Sequence, residues 1–349
     1  MTIHIAVLGL ASFYGPAYTQ RALDHPDTEV VAAVALADDE ALGTLGQPTR
    51  DAFREEYSCP VFESVDELLV ETAIDAAVVA TPTDRRANDA VTILDAGYPV
   101  LSAKPAAGSE VGARRIAEAA KAADTPALTT SPARFDDPIS ALSSRVHNGE
   151  LGEVCAVRAA IRHDRVPADG IEANAEHAPH QAGGLYAMGY YTADLLCWFV
   201  DANPERTFAE FDNVNTSHST HPDLGAATVR FADGVLGTMT VTYSTDCRER
   251  LGNWEVEVVG TDGIGRTSHT GYEGMIWHGS KQGRRSAEVF ERTRTPILDR
   301  QFAAFVDAIQ SGGYPDIVPE PEMVADALAL CERWEESART GEPAVWKRG

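Results

Sequence analysis

The stretch Gln181–Trp198 reads QAGGLYAMGYYTADLLCW: two glycines open an apolar run that carries a tyrosine pair and one aspartate in its interior. From residue types alone, Tyr191 is either a core aromatic on a buried helix or a working acid. Cations that could assist an acid are scarce, because the chain holds only four lysines, Lys104, Lys121, Lys281 and Lys347. Lys104 stands between the end of an apolar strand-like run and Pro105, an unusual place for a purely solvated side chain. His163, His177 and His180 fall in the loop-rich Arg162–Gln181, with Asp164 and Glu176 close in sequence. No periodic pattern fixes their geometry, so no metal site is expected there.

A second chemical feature lies at the other end of the chain. The strand-like IHIAVLGL runs into Gly9-Leu10-Ala11-Ser12-Phe13-Tyr14-Gly15-Pro16. Glycines at such a turn let the backbone approach a pyrophosphate at a helix N-terminus. A regular GxGxxG needs glycine at positions 11 and 14; Ala11 and Tyr14 stand there, and Gly15 comes one place late. An ordinary strand-to-helix turn remains the alternative. Past the second strand, Leu36 occupies the usual place of the acidic residue that grips a ribose, with Asp38 and Asp39 just beyond. No arginine stands there to favour a 2′-phosphate, so NAD is favoured over NADP.

The elements that must position these groups follow two grammars. Up to about residue 128, apolar runs (IHIAVLGL, EVVAAVAL, DAAVVAT, PVLSA, PALTT) alternate with segments of helical length, clearest over 85–96 and 109–123. Ser109 with Glu110 reads as a helix start and Gly97 as a stop. Strands separated by helices predict a doubly wound α/β domain of Rossmann type, 1–128. After about residue 150 the pattern alternates in β fashion, and the Asp-Gly pairs in FADGVLG and VVGTDGIG read as hairpin turns. The expectation for 129–349 is therefore an α+β domain with a large, mostly antiparallel open sheet. Helices are expected near 298–311 and 321–340, the C-terminal one packing back on the first domain.

The remaining bounds come from composition. A length of 349 residues exceeds one ordinary core and favours two domains, while 44% hydrophobic and 23% charged residues are those of a globular chain. With 53 acidic against 29 basic residues the net charge is −24, which repels nucleic acid and anionic lipid, so neither is an expected partner. Abundant carboxylates with few lysines suggest a halophilic protein, a merely acidic one being the alternative. Five scattered cysteines without a CxxC pair, and a start that reads as a strand rather than a leader, fit a reduced cytoplasmic location.

Further segments carry a resemblance. Ala80-Thr81-Pro82-Thr83 follows one strand, Ala103-Lys104-Pro105 another, then come Arg134-Phe135 with Pro138 and the Gly183-Gly184 pair. In order and spacing these resemble the Gfo/Idh/MocA family of sugar and polyol dehydrogenases, with its Ala-Thr-Pro-Asn, Glu-Lys-Pro, Arg-Phe and Gly-Gly…Asp-x-Gly-x-His-x-x-Asp segments. The resemblance implies an NAD(P)-dependent oxidoreductase moving hydride between a nicotinamide and a carbinol carbon of a sugar, polyol or related hydroxy compound. It implies nucleotide binding by Gly9, Ala11, Ser12, Phe13, Asp38, Thr81, Pro82, Thr83, Lys104 and Pro105. Lys104 matches the family lysine, and Tyr191 stands where the family has histidine, as in a subset resembling glucose–fructose oxidoreductase; these two are the catalytic candidates. A phenol with a pKa near 10 needs a nearby cation to act at neutral pH. The last family aspartate is kept as Asp194, and with Arg134 and His180 it is a substrate-binding candidate. Members also imply a homodimer or homotetramer formed through the C-terminal sheet.

Departures accompany the match. The other family aspartate falls at Ala187, which shares a helix face with Tyr191 and Asp194 at i, i+4 and i+7. Ala103 replaces the family glutamate, Thr83 the asparagine, and Arg86 a histidine. These changes keep open a non-catalytic ligand-binding or regulatory relative of the same fold.

Overall fold

The structure, a computed structural model, describes residues 2–10, 13–35, 50–164, 189–214, 222–245, 253–270, 273–280, 283, 285–291 and 297–346. Ala11, Ser12, Asp38, His177, His180, Gly183, Gly184 and Ala187 lie outside the described residues.

Two compact units emerge. The first carries a six-stranded sheet of β1 (Ile3–Leu8), β2 (Thr28–Val34), β3 (Val61–Phe62), β4 (Ala76–Val79), β5 (Val100–Ser102) and β6 (Ala127–Thr129). Its order is β3-β2-β1-β4-β5-β6, every pair parallel. Strand order reverses between β1 and β4, the switch point beyond whose carboxyl ends open α/β sheets take their ligands. β4 is buried along its whole length, as its unbroken apolar run requires of a strand covered on both faces. The helices between strands are α1 (Tyr14–Asp24), α2 (Arg50–Tyr57), α3 (Val65–Glu71), α4 (Thr83–Asp95) and α5 (Glu110–Ala123). α5 starts as its sequence predicts: the Ser109 hydroxyl accepts the Gly112 N–H at 3.1 Å.

The second unit begins at Ser131. After a short 3₁₀ turn (Pro132–Phe135) come α6 (Asp137–His147), β7 (Val154–Asp164) and α7 (Gly189–Phe199). Then follow β8 (Pro204–Asp212), β9 (Leu224–Phe231), β10 (Leu236–Thr245), β11 (Asn253–Gly260), β12 (Gly263–Thr270), β13 (Glu273–Ser280) and β14 (Arg285–Glu291). With β15 (Ala344–Val345) they form a nine-stranded sheet ordered β14-β13-β12-β11-β7-β10-β9-β8-β15. Only the β7–β10 pair is parallel. The Asp233-Gly234 and Asp262-Gly263 pairs close the two hairpins where the sequence places them. Along β9 and β10 burial alternates residue by residue, so one sheet face is covered and the other open.

The helices near the C-terminus are α8 (Ile297–Ser311) and α9 (Pro321–Thr340). The helix that returns to the first unit is α8, not the terminal one. Tyr18 of α1 donates to Gln301 of α8 at 2.6 Å and packs its ring against Phe302. From Asp326 onward α9 belongs to the second unit, where the Ser337 hydroxyl accepts the Ala209 N–H of β8 at 3.1 Å. A single cut after residue 128 thus misses the return of the segment up to Ala325. No described helix is long and apolar enough to cross a membrane.

Candidate functional site

At the carboxyl end of the first sheet, three turns converge. Gly9, just past β1, has φ +87°, and a Cβ there would lie 2.6 Å from Ala80 C and Thr81 N, after β4. Only glycine lets these two turns approach so closely. A Cβ on Gly15 would collide with the Gly9 carbonyl oxygen. The glycine that sits one place late in the sequence therefore makes the close helix-to-strand contact that the third glycine of a regular fingerprint makes. Phe13, at the start of α1, is 63% exposed, and its own side chain makes no cap hydrogen bond to that helix.

Past β4 and β5, Thr81, Thr83 and Ser102 are buried, and each has a hydroxyl without a hydrogen-bond partner. Orphaned buried hydroxyls are uncommon in native proteins, and their clustering at these strand ends suits a ligand rich in ribose and phosphate oxygens. A glycine cradle at a helix start and three orphaned hydroxyls fit a dinucleotide.

Arg86, on the first turn of α4, is 1% exposed. Its Nε donates to the Thr81 carbonyl at 2.9 Å, and its Nη1 to the Ala103 and Pro105 carbonyls at 3.2 and 2.5 Å. One guanidinium thereby ties together the turns after β4 and β5. Sequence reasoning noted Arg86 only as a departure from histidine. Its burial on a first helical turn, beside two chain reversals rich in backbone acceptors, was the available signal.

Lys104 follows β5, its backbone N–H donating to the Thr130 hydroxyl at 2.9 Å, and the Lys104–Pro105 bond is cis. Burial, and then the neighbouring Arg86 charge, lower its ammonium pKa to about 7. Part of the residue remains exposed, so solvent moderates both causes. Lys104 is thus not a permanent cation: it exchanges its proton in the neutral range. Burial likewise lowers Arg86 to about 10, against the raising influence of Tyr14, Asp89 and Asp84.

In the second unit, α7 lies on β7 and β10. Asp194 and Arg134 are 0% and 1% exposed and bind one another through both carboxylate oxygens, with Nη2 to Oδ1 at 2.6 Å and Nε to both oxygens at 3.0–3.1 Å. The Arg134 guanidinium also sits 4.7 Å over the Trp198 ring. The two form a buried pair that joins the 3₁₀ turn to α7.

Tyr190 is buried, its hydroxyl 3.4 Å from that of Ser131, and burial first, then Asp194, hold its pKa well above 10. Tyr190 packs. Tyr191 is 6% exposed, with its ring 5.8 Å from Trp254 of β11. The Trp254 indole N–H is buried and has no partner. Sequence reasoning did not single out Trp254, which reads as one aromatic in an alternating strand. Among the described residues no cluster of His, Cys, Asp or Glu could hold a metal ion.

Comparison with known proteins bears on this arrangement. Residues 3–129 match the model described as the oxidoreductase family with an NAD-binding Rossmann fold, and residues 139–266 match the GFO/IDH/MocA C-terminal domain. An inositol 2-dehydrogenase of Leifsonia xyli subsp. xyli is 36% identical over 107 residues, 30% of this chain and 32% of that protein. The match therefore spans about a third of that relative's length. A 1,5-anhydro-D-fructose reductase of Ensifer adhaerens is 24% identical over 82% of this chain and 84% of its own. In fold, the chain is similar to GenD2 from gentamicin A biosynthesis, solved in complex with NAD, with a TM-score of 0.79 at 21% identity over 99% of this chain and 97% of that one. With both of its domains matched over most of its length, this chain belongs to the GFO/IDH/MocA family of NAD-binding oxidoreductases.

Proposed function

We propose that the protein is a cytoplasmic dehydrogenase that uses NAD to oxidise, or NADH to reduce, one carbinol carbon of a sugar, polyol or related hydroxy compound. The observation that carries this reading is the cluster at the switch point, where Gly9, Gly15 and the orphaned hydroxyls of Thr81, Thr83 and Ser102 offer what a dinucleotide needs. The names of the relatives, an inositol dehydrogenase and an anhydrofructose reductase, favour a polyhydroxylated substrate. A bound nicotinamide supplies the hydride acceptor or donor.

The proton is the task of this chain's own groups. Lys104, with its pKa near 7, accepts and returns a proton at neutral pH, the condition under which general acid–base groups work best. Tyr191 is assigned as the acid/base group at the substrate oxygen, and the unpartnered Trp254 N–H beside it as a donor to a neighbouring hydroxyl. Arg134 and Asp194 hold α7 in place rather than touch substrate. The open face of the nine-stranded sheet, with Leu224 and Ile264 exposed, is assigned to contact between subunits of a homodimer or homotetramer.

Calorimetry with NAD and NADP, followed by turnover of inositols and aldoses, tests the reading. Wild-type protein is expected to bind NAD. Tyr191→Phe is expected to retain that binding while turnover falls by about 10²–10⁴. Absence of binding by either cofactor overturns the function; unchanged turnover in Tyr191→Phe overturns only the residue assignment.

A further inference from the structure

At the ligand end of the first sheet stands a cation that the dehydrogenase reading does not use. Gly9 donates its N–H to the Val34 carbonyl at 2.8 Å, so the glycine turn after β1 and the carboxyl end of β2 are tied together. In doubly wound domains the end of β2 is where the adenosine ribose is read: an acid there takes the 2′-hydroxyl, an arginine a 2′-phosphate. The stretch 33–40, AVALADDE, holds no arginine. Helix α2 delivers one from farther along the chain. Arg50, its first residue, donates Nη2 to the Ala35 carbonyl at 2.9 Å, one residue past β2. Its Nη1 donates to the Glu63 carboxylate at 2.8 Å, one residue past β3.

The Arg50 side chain is part-buried, and its Nε is buried without a hydrogen-bond partner among the described residues. A donor on a charged group is costly to leave unpaired in the protein, which favours an incoming acceptor. On the other side the guanidinium is held only weakly, because Glu63 is exposed and such a carboxylate exchanges its ion pair for water at little cost. The planar fork of an arginine matches the oxygens of a phosphate, which a single ammonium does not. Asp38 and Asp39 follow in sequence and favour a free 2′-hydroxyl, so acceptance of both cofactors is expected, not exclusion of NAD.

We propose, resting on the dinucleotide site at the switch point, that Arg50 is a cofactor-specificity residue. Its guanidinium receives the 2′-phosphate of NADP in competition with Glu63, so that the protein takes NADP as well as NAD.

Titration calorimetry of the full chain with NAD and with NADP, read as the ratio of the two dissociation constants, tests this. Wild type is expected to bind both. Arg50→Ala should weaken NADP about tenfold or more relative to NAD, the loss of charge-assisted hydrogen bonds to a phosphate. Glu63→Gln removes the competitor and should strengthen NADP about threefold relative to NAD. A purely structural tie between α2 and the ends of β2 and β3 predicts otherwise, since both variants would then loosen the same turn and change the two cofactors alike. Thermal unfolding checks that each variant folds. Were Arg50→Ala to unfold, Glu63→Gln decides alone, and a ratio it leaves unchanged overturns the assignment. NAD binding without NADP binding overturns it too, as does a ratio that Arg50→Ala leaves unchanged or that both variants move in the same direction. Binding of neither cofactor by wild type overturns instead the dinucleotide site on which the assignment rests.

Discussion

Arg86 in the first unit and Arg134 in the second are both 1% exposed, yet they solve the problem of a buried guanidinium differently. Arg134 is matched by a carboxylate, Asp194, so the pair is formally neutral and its field is short. Arg86 is matched only by three carbonyl oxygens and keeps its full charge. Asp89, a possible partner on the same helix, is instead held by both forks of Arg85 at 2.9 Å. The consequence falls on Lys104, whose proton is loosened by burial and then by the neighbouring Arg86 charge. A buried arginine paired with acid fixes structure; one paired with carbonyls fixes structure and also tunes its neighbour.

The sharpest way to break this contrast is to remove one member of the neutral pair. Arg134→Met strands the Asp194 carboxylate in the core and is expected to reduce unfolding free energy by about 3–5 kcal/mol. Denaturant unfolding followed by tryptophan fluorescence measures it. Arg134→Met combined with Asp194→Leu should recover most of that loss, because no charge is left unpaired. A double variant as unstable as the single one would mean that packing over Trp198, not charge pairing, is what Arg134 provides.

Arg86→Met is expected to cost less, about 2 kcal/mol, because turn carbonyls near the sheet end can turn to water more readily than a core carboxylate can. Its second effect separates it from Arg134. With the positive charge gone, the Lys104 pKa must rise from about 7, while burial, the larger cause, still holds it below 10.5. If the neutral amine accepts the proton in alcohol oxidation, the wild-type rate climbs as pH passes through about 7. In Arg86→Met the same climb is expected at higher pH, whereas Arg134→Met should leave its midpoint in place. Coincident pH profiles for wild type and Arg86→Met would end the claim that Arg86 tunes Lys104.

The same contrast explains what the sequence could and could not reveal. Five of the six strands of the first unit were legible because each is a short apolar run bounded by turn residues, as parallel strands buried on both faces must be, whereas the two-residue β3 carries no such run. Helix α5 was legible from Ser109, and both hairpins from Asp-Gly. The Gly15 contact was not, since counting positions asks whether glycine stands at 14, while the fold asks which residue of α1 faces the Gly9 carbonyl. The partners of the two arginines were hidden for a related reason. Asp194 lies sixty residues from Arg134, and the Ala103 and Pro105 carbonyls lie 17 and 19 residues from Arg86. Motif spacing suggested that Arg134 and Asp194 were functional, but only the packed core shows that they serve each other. The return of α8 to the first unit escaped because an amphipathic helix does not state which domain its apolar face will cover.

The smallest expected effect is also the most specific to the charged site. Lys104 has a folded pKa of about 7 against an ordinary value of 10.5, so the folded state holds its proton less firmly than the unfolded chain does. Above 10.5 the group is neutral in both states and has no influence on stability. As pH falls from 10.5 to 7 the unfolded chain takes up a proton that the folded protein refuses, and stability is progressively lost; below 7 the loss is constant. Lys104→Met removes this handicap. The variant should be more stable than wild type at pH 6 by on the order of 1 kcal/mol, a figure reduced because part of Lys104 is exposed to solvent. That advantage should shrink toward zero as pH rises through the window between 7 and 10.5. Thermal unfolding of both proteins at a series of pH values provides the difference directly. A gain that stays constant across the window would come from packing of the methionine; a loss of stability at pH 6 would mean that the ammonium is stabilised in the fold, contrary to the burial argument.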